Sequence, residues 1–353
     1  MRVLIADGGT GGHIFPAIAV ADELKKRSEV DAILFTGTPS GLESEIVPRH
    51  GYELRMIHVG GLIGKNLMTR LKTLMQLPAA YLASARILDD FAPAVVIGFG
   101  AYSSGPVLVA AHRRKIPILL VEPNAIPGFT NRIALRFAKK VAVAYEDSTG
   151  VFQGKAVVTG TPVRPLKEIL QIREKFTLGI YCGSQGSRAM NNVVLEALPE
   201  LAKIKESLHI IHQTGKADYD RVKSHYDSTA PFFEVTGFVH QVDEFYSRCD
   251  LLLCRAGAVT LAEITVLGKP AILVPLPTAA HNHQEQNARR LSEEGAARMI
   301  LQNHFSAGVF IDELKSLLND SEKVKQMSAA SRSLGKPDAA EKVSDLALSL
   351  VKN

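Results

Sequence analysis

The residues of this chain best suited to chemistry lie around glycine turns. The apolar run Val3-Leu4-Ile5-Ala6 leads into Gly8-Gly9-Thr10-Gly11-Gly12-His13, the pattern of a strand, a tight turn and the start of a helix. Glycines there let the backbone approach a ligand closely, and the free N–H groups of the helix start carry a partial positive charge that suits phosphate. His13 falls in the first helical turn. The adjacent positive helix end favours its neutral imidazole, a competent general base near pH 7. A histidine that only caps the turn is the alternative. The turn is not a dinucleotide fingerprint. G-x-G-x-x-G counted from Gly9 would need glycine where Ile14 stands, and the next strand ends Phe35-Thr36-Gly37 without an acidic residue to hold a ribose.

The same design recurs where Leu178-Gly179-Ile180-Tyr181-Cys182 runs into Gly183-Ser184-Gln185-Gly186-Ser187. A third strand-to-helix turn follows Cys254, through Arg255-Ala256-Gly257-Ala258-Val259-Thr260-Leu261-Ala262-Glu263. Its N–H groups suit a phosphate, and Glu263 suits a pair of ribose hydroxyls. Other schemes lack their local geometry. Neither G-x-S-x-G nor H-E-x-x-H occurs. His209 and His212 are three apart on a strand-like run, so they point to opposite faces. His281-Asn282-His283 has no third ligand indicated, and Asp218-Tyr219-Asp220 sits in a charged stretch that reads as a solvated helix face. No metal dependence is expected.

Elements that could hold such turns follow from hydrophobic patterning. Short apolar runs at residues 3–6, 32–35, 95–97, 118–121 and 141–144 alternate with longer amphipathic stretches, the βαβ rhythm of a parallel sheet covered on both faces. The rhythm restarts after Gly160-Thr161-Pro162-Val163-Arg164-Pro165, with strands expected at 178–182, 208–211, 251–254 and 271–274. Two α/β domains are therefore expected, residues 1–161 and 162–337, facing each other across a cleft. The chain's 353 residues suffice for a core in each. Pro337-Asp338-Ala339-Ala340-Glu341 has capping-box spacing and starts a last amphipathic helix, 338–353, which needs a surface to cover.

Composition excludes several classes. Apolar residues make up 46% and charged residues 22%, a globular balance. Lys plus Arg exceeds Asp plus Glu by 41 to 36, a mild basic bias without the clustering of a nucleic-acid binder, and no nucleic-acid partner is expected. Cys182, Cys249 and Cys254 are odd in number and form no C-x-x-C pair, which points to a reducing cytoplasm. No apolar leader follows Met1, so export is not expected. Residues 93–111 are uncharged, but the central Gly98, Gly100, Ser103, Ser104, Gly105 and Pro106 favour strand, loop and helix over a membrane span. A helix from Leu67 would place Leu67, Met68, Leu71, Leu74 and Met75 within an arc of roughly 120°, flanked by Arg70 and Lys72. Such a stripe suits either an anionic membrane surface or packing on the sheet. Lys65 and His112-Arg113-Arg114-Lys115 favour the membrane.

Taken together, Gly8-Gly9-Thr10-Gly11-Gly12-His13-Ile14-Phe15-Pro16-Ala17, Gly100-Ala101-Tyr102-Ser103-Ser104-Gly105-Pro106 and Glu122-Pro123-Asn124 resemble the amino-terminal motifs of the MurG family of bacterial N-acetylglucosaminyltransferases. Gly160-Thr161-Pro162-Val163-Arg164, the Gly183 and Arg255 turns, and His283-Gln284-Glu285-Gln286-Asn287-Ala288 extend the resemblance over nearly the whole chain. It implies a GT-B fold of two Rossmann-like domains, with the tail helix returning to the first. It also implies inverting transfer of GlcNAc from UDP-GlcNAc to the C4 hydroxyl of MurNAc in lipid I, giving lipid II for peptidoglycan, at the cytoplasmic face of the cell membrane and without a required cofactor. By the same resemblance, Ser184, Gln185 and Gly186 lie near the diphosphate, with Arg164 at the donor site. Phe238 and Val239 flank the uracil, and Glu263 holds the ribose. Ala258 and Thr260 lie near phosphate and sugar, and Gln284 and Asn287 contact the GlcNAc hydroxyls. Thr10, Gly11, Gly12 and Asn124 complete the cleft, Tyr102 lines the acceptor side, and His13 is the base with Glu122 its rival. Apart from the resemblance, Leu67, Leu71, Leu74, Arg70 and Lys72 of the apolar stripe are the residues expected to meet the membrane, with packing on the sheet the alternative. Three positions depart from the family pattern, Cys182, Ala125 and Pro123, and the last lacks the donors of the glutamine frequent there. A GT-B epimerase acting on UDP-GlcNAc, a transferase for another lipid, and a non-catalytic binding protein are the alternatives.

Overall fold

The structure is a computed structural model. It describes every residue except 9, 10, 61–66, 153, 168–173, 184, 280, 281, 352 and 353, and only the backbone at 11, 67–72, 74 and 147. Thr10 and Ser184 therefore lie outside the described residues, as do the side chains of Leu67, Arg70, Leu71, Lys72 and Leu74. The chain divides into two units, Met1–Pro165 with Lys336–Asn353, and Leu166–Gly335.

In the first unit strands and helices alternate: β1 (Arg2–Ala6), α1 (Gly11–Leu24), β2 (Ala32–Gly37), α2 (Glu43–Arg49), β3 (Glu53–Met56), α3 (Leu67–Phe91), β4 (Val95–Gly98), α4 (Ser104–Arg113), β5 (Ile118–Glu122), α5 (Phe129–Ala134), β6 (Lys140–Val143) and β7 (Ala156–Val158). Among the described residues the strands form one parallel sheet in the order β3-β2-β1-β4-β5-β6-β7. Successive side chains of β1 point to opposite faces. Val3 and Ile5 enter a core with Ile14, Ala17 and Val20 of α1, while Leu4 and Ala6 enter another with Ile87 and Leu88 of α3 and Val107 and Leu108 of α4. Burial on both faces explains why the strand reads as an unbroken apolar run.

The second unit continues with β8 (Phe176–Tyr181), α6 (Arg188–Ala202), β9 (Leu208–Gln213), α7 (Tyr219–Thr229), β10 (Glu234–Thr236), α8 (Val242–Ser247), β11 (Leu251–Cys254), α9 (Ala258–Val266), β12 (Ala271–Leu273), α10 (His283–Glu293), β13 (Ala297–Met299), α11 (Ala307–Leu318) and α12 (Ser321–Leu334). Its parallel sheet runs β10-β9-β8-β11-β12-β13. In both sheets the order reverses beside the first strand, at β1/β4 and at β8/β11. Ligands of open α/β sheets bind beyond the strand carboxyl ends at such switch points, and there the glycine turns lie.

The tail helix, α13 (Ala339–Ser349), returns to the first unit. Val343, Ala347 and Leu348 complete the core against α1, and Arg27 pairs with Asp345 at 3.0 Å. The expected capping box does not form. Asp338 makes no side-chain cap bond and instead pairs with Lys342 at 2.7 Å, one turn along. The three cysteines are buried free thiols. Among the described residues, no helix is long and apolar enough to cross a membrane.

Candidate active site

At the switch point of the first sheet, Ser103 Oγ donates to the carbonyl of Asp7 at 2.9 Å and ties the turn after β4 to the turn after β1. A Cβ on Gly8 would lie 2.3 Å from Ser103 Oγ and 2.7 Å from Glu43 Oε1, so no side chain fits. Glu43 is buried, and its Oε1 accepts from the Thr38 backbone N–H at 2.7 Å and hydroxyl at 2.9 Å. Asp7 is also buried. Burial first, and then the nearby Glu43, push its carboxyl well above the usual range, opposed by a hydrogen bond from the Gly8 backbone. His13 stands in the first turn of α1, which carries no acidic residue, and lines a cavity within this unit. Two residues on, the Phe15 ring lies under the Arg164 guanidinium, 4.8 Å from it. Gly12 and Tyr102 are exposed.

Glu122, the expected rival base, is held by hydrogen bonds on both oxygens. It is buried at the end of β5, where its Oε1 accepts from the Asn124 backbone N–H and Nδ2, both at 3.1 Å. Its Oε2 accepts from the Gly128 backbone N–H at 2.8 Å and Asn131 Nδ2 at 3.0 Å. A carboxylate offers about four lone-pair positions, and here each has a donor. Glu122 shapes the turn between β5 and α5, and Asn124 is fixed by it. Asn131, which the sequence did not mark, is a second brace. Pro123 lacks a donor, but its carbonyl accepts from Thr161 Oγ1 at 3.2 Å.

In the second unit, the turn after β8 crosses the turn after β9. A Cβ on Gly186 would lie 2.5 Å from the Thr214 carbonyl oxygen, and the φ of +74° at Gly186 is open to glycine. Gln213 fastens the crossing. Its Oε1 accepts from the Cys182 N–H at 3.0 Å, and its Nε2 donates to the carbonyls of Gly183 at 3.1 Å and Gly237 at 3.2 Å. One buried side chain thus joins the glycine turn that leads to exposed Gln185 to the turn bearing half-buried Phe238 and Val239. Lys216 Nζ lies 5.2 Å from the centre of the Phe238 ring.

The third turn opens α9 at Ala258 with no side-chain cap hydrogen bond and no acidic residue in its first turn. Thr260 is half-buried there. Glu263 is buried, and its Oε2 accepts from the Tyr246 hydroxyl at 3.0 Å. Arg255 is a brace, donating to the carbonyls of Val274 and Pro275 and to Ser187 Oγ and Gln302 Oε1. Gln284 is half-buried, with Oε1 accepting from the Leu276 N–H at 3.0 Å. Asn287 is fully buried beneath the turn and donates to the Ala256 carbonyl at 3.4 Å. Gln284 is therefore the member of that pair with surface to offer a sugar. The Asp218-Tyr219-Asp220 motif holds Asp218 to Arg221 and Asn191, each at 2.7 Å, and Arg221 lowers its carboxyl to about 2. His209 and His212 do point apart, towards Glu234 and towards Tyr226 and Asn191. Sequence reasoning missed Gln213, Asn131 and Asn191 as braces because each acts across distant turns.

Two open parallel sheets, each with a glycine turn at its switch point, are the architecture of the GT-B fold. Residues 3–143 match the glycosyltransferase family 28 N-terminal domain and residues 177–343 its C-terminal domain. The chain belongs to glycosyltransferase family 28, in its MurG branch. It is 41% identical, over 100% of its length and 99% of the relative, to the UDP-N-acetylglucosamine--N-acetylmuramyl-(pentapeptide) pyrophosphoryl-undecaprenol N-acetylglucosamine transferase of Thermodesulfovibrio yellowstonii. It is also 41% identical to the Myxococcus xanthus enzyme of that name, covering 99% of this chain and 93% of the relative. Among solved structures, Acinetobacter baumannii MurG superposes with a TM-score of 0.80 at 30% identity, covering 99% of both chains. A Neisseria meningitidis UDP-GlcNAc 2-epimerase shares the fold at a TM-score of 0.71 and 15% identity, covering 100% of each chain.

Proposed function

We propose that this enzyme moves GlcNAc from UDP-GlcNAc to the C4 hydroxyl of the MurNAc unit of an undecaprenyl-pyrophosphoryl acceptor carrying the pentapeptide, with inversion at the sugar C1 and release of UDP. The observation that carries the reading is His13 on the first turn of α1, at the switch point of a family 28 amino-terminal domain. In the proposed step the imidazole takes the proton of the acceptor hydroxyl as its oxygen bonds to C1 and the bond from C1 to the diphosphate oxygen breaks. The departing diphosphate is stabilised by N–H groups of the Ser184-Gln185-Gly186 turn and of the helix start at Ala258 and Thr260, together with Arg164. Phe238 and Val239 take the uracil, Glu263 the ribose, and Gln284, supported by Asn287, the GlcNAc hydroxyls. Thr10, Gly11, Gly12 and Asn124 contribute to holding UDP-GlcNAc, and Tyr102 lines the acceptor side. No metal is required in this scheme, since helix ends and an arginine supply the positive charge.

The first unit would also meet the cytoplasmic face of an anionic membrane through Leu67, Leu71 and Leu74, flanked by Arg70 and Lys72. The backbone of that stretch is helical, and Met75, next to it, is 76% exposed. Sedimentation with anionic vesicles tests the face, and the triple change of these leucines to serine is expected to weaken it.

The activity is tested by UDP release from UDP-GlcNAc with and without a lipid I analogue in detergent, following the lipid by mass. Acceptor-dependent release with gain of one GlcNAc is expected. Release without acceptor would favour an epimerase or hydrolase, and tight UDP binding without release would favour another acceptor or a binding protein.

A further inference from the structure

A cavity of about 630 Å³ lies within the first unit, walled by α3, α4 and α5. Its size is that of a small-ligand site, roughly 300–1,000 Å³, but such sites for sugars or nucleotides carry several convergent polar groups. Here the lining is mainly hydrocarbon, with Leu77 from α3, Leu108 and Val109 from α4, and Ile133 and Phe137 from α5 and its end, and the hydroxyl-bearing Thr73, Tyr81, Tyr102 and Thr130 are a minority among them. Gly8 and His13 also line it, so the cavity is continuous with the turn that bears the base. At its rim Phe129 and Ile133 remain 47% and 41% exposed.

We propose that this cavity takes the diphosphate-proximal isoprene units of the acceptor's polyprenyl chain. The inference rests on the transferase reading above and adds to it a site for the hydrocarbon. A cavity that begins at the base serves the molecule whose hydroxyl the base deprotonates, which is the acceptor and not the nucleotide. Of that molecule, the sugar, peptide and diphosphate are strongly polar and would lose more water than the few hydroxyls on these walls replace. The chain is the one part that gains by leaving water, and its first units are those tethered within reach of His13. The enzyme would then hold its acceptor by the lipid as well as by the head, separately from any adhesion to the membrane surface.

Gly105 supplies the test. It lines the cavity near the start of α4, and a Cβ there would meet no atom within 4 Å. Gly105→Leu therefore fills free space, and it raises helix propensity, so the fold is retained. Two acceptor analogues with the same sugar-diphosphate head, one bearing a tetraprenyl chain and one a methyl group, are compared in one detergent with the full chain. The unaltered protein is expected to favour the tetraprenyl acceptor in kcat/KM. In Gly105→Leu the ratio of kcat/KM for the two acceptors is expected to fall at least about 10-fold, the effect of losing about two buried methylenes. Ile133→Ser, at the exposed rim, moves the ratio in the same direction. A ratio near one in the unaltered protein, or an unchanged ratio in both variants, would overturn the proposal and leave the transferase standing. Equal losses on both acceptors would assign the cavity to the head group and overturn it too. No transfer to either acceptor by the unaltered protein would overturn the transferase reading and this inference with it.

Discussion

Replacing Glu122 by glutamine separates a brace from a base. The carboxylate accepts four hydrogen bonds, from the Asn124 N–H and Nδ2 on one oxygen and from the Gly128 N–H and Asn131 Nδ2 on the other. Glutamine keeps one oxygen. Whichever way the amide turns, its NH₂ group faces two donors and loses both bonds. A hydrogen bond to a charged group is worth about 1.5–3 kcal/mol, so the gross loss is about 3–6 kcal/mol, and about 3 kcal/mol is expected to survive relaxation of the turn. For a unit of this size that corresponds to melting roughly 6–12 °C lower, read by calorimetry or circular dichroism. Turnover measured well below the melting range is expected to keep the shape of its pH profile, because His13 remains. An unchanged melting temperature with turnover down by about 10²-fold and one limb of the pH profile gone would make Glu122 the base and refute this assignment.

His13→Ala is expected to cut turnover by about 10²-fold or more while UDP affinity, measured by calorimetry, stays within about 2-fold. A collapse of UDP affinity would move His13 to donor binding. Asp7 offers a pH test, since burial raises its carboxyl above the ordinary 3.8. The folded state then holds the proton more tightly than the unfolded chain, so stability falls as pH rises from the unfolded value towards the folded one. Asp7→Asn is expected to flatten that fall and raise the melting temperature at neutral pH, and a lower melting temperature there would refute the reasoning. Gln213→Leu removes the clip between two turns, and KM for UDP-GlcNAc is expected to rise at least about 10-fold with kcat at saturation within about 3-fold. A lower melting temperature with unchanged KM would leave Gln213 a core residue only.

Much of this molecule is local and therefore legible along the chain. The strands at residues 2–6, 176–181 and 251–254 are mostly apolar and buried along most of their length, and a turn containing glycine follows each. An unbroken apolar run that stops at glycine needs only its neighbours to be read as a buried strand entering a turn. The positions of His13 in the first turn of α1 and of Ala258 at the start of α9 were legible the same way. The short edge strands β3, β7, β10 and β13 escaped, because edge strands of three or four residues bury one face at most and carry charges such as Glu53, Arg55 and Arg298.

Tertiary structure decided which polar groups hold the turns. Glu122 and His13 look alike in sequence, each a titratable residue near the carboxyl end of a buried strand. What separates them is that Gly128 and Asn131, six and nine residues further on, turn their donors onto the carboxylate. Gln213 reaches residues 30 and 24 positions away, a contact set by strand register and by the crossing of Gly186 over Gly215. Backbone conformation and hydrophobic period act between near neighbours and are written in composition and spacing. The pairing of a buried donor with its acceptor depends on which turns the sheet brings together, and no local pattern encodes that.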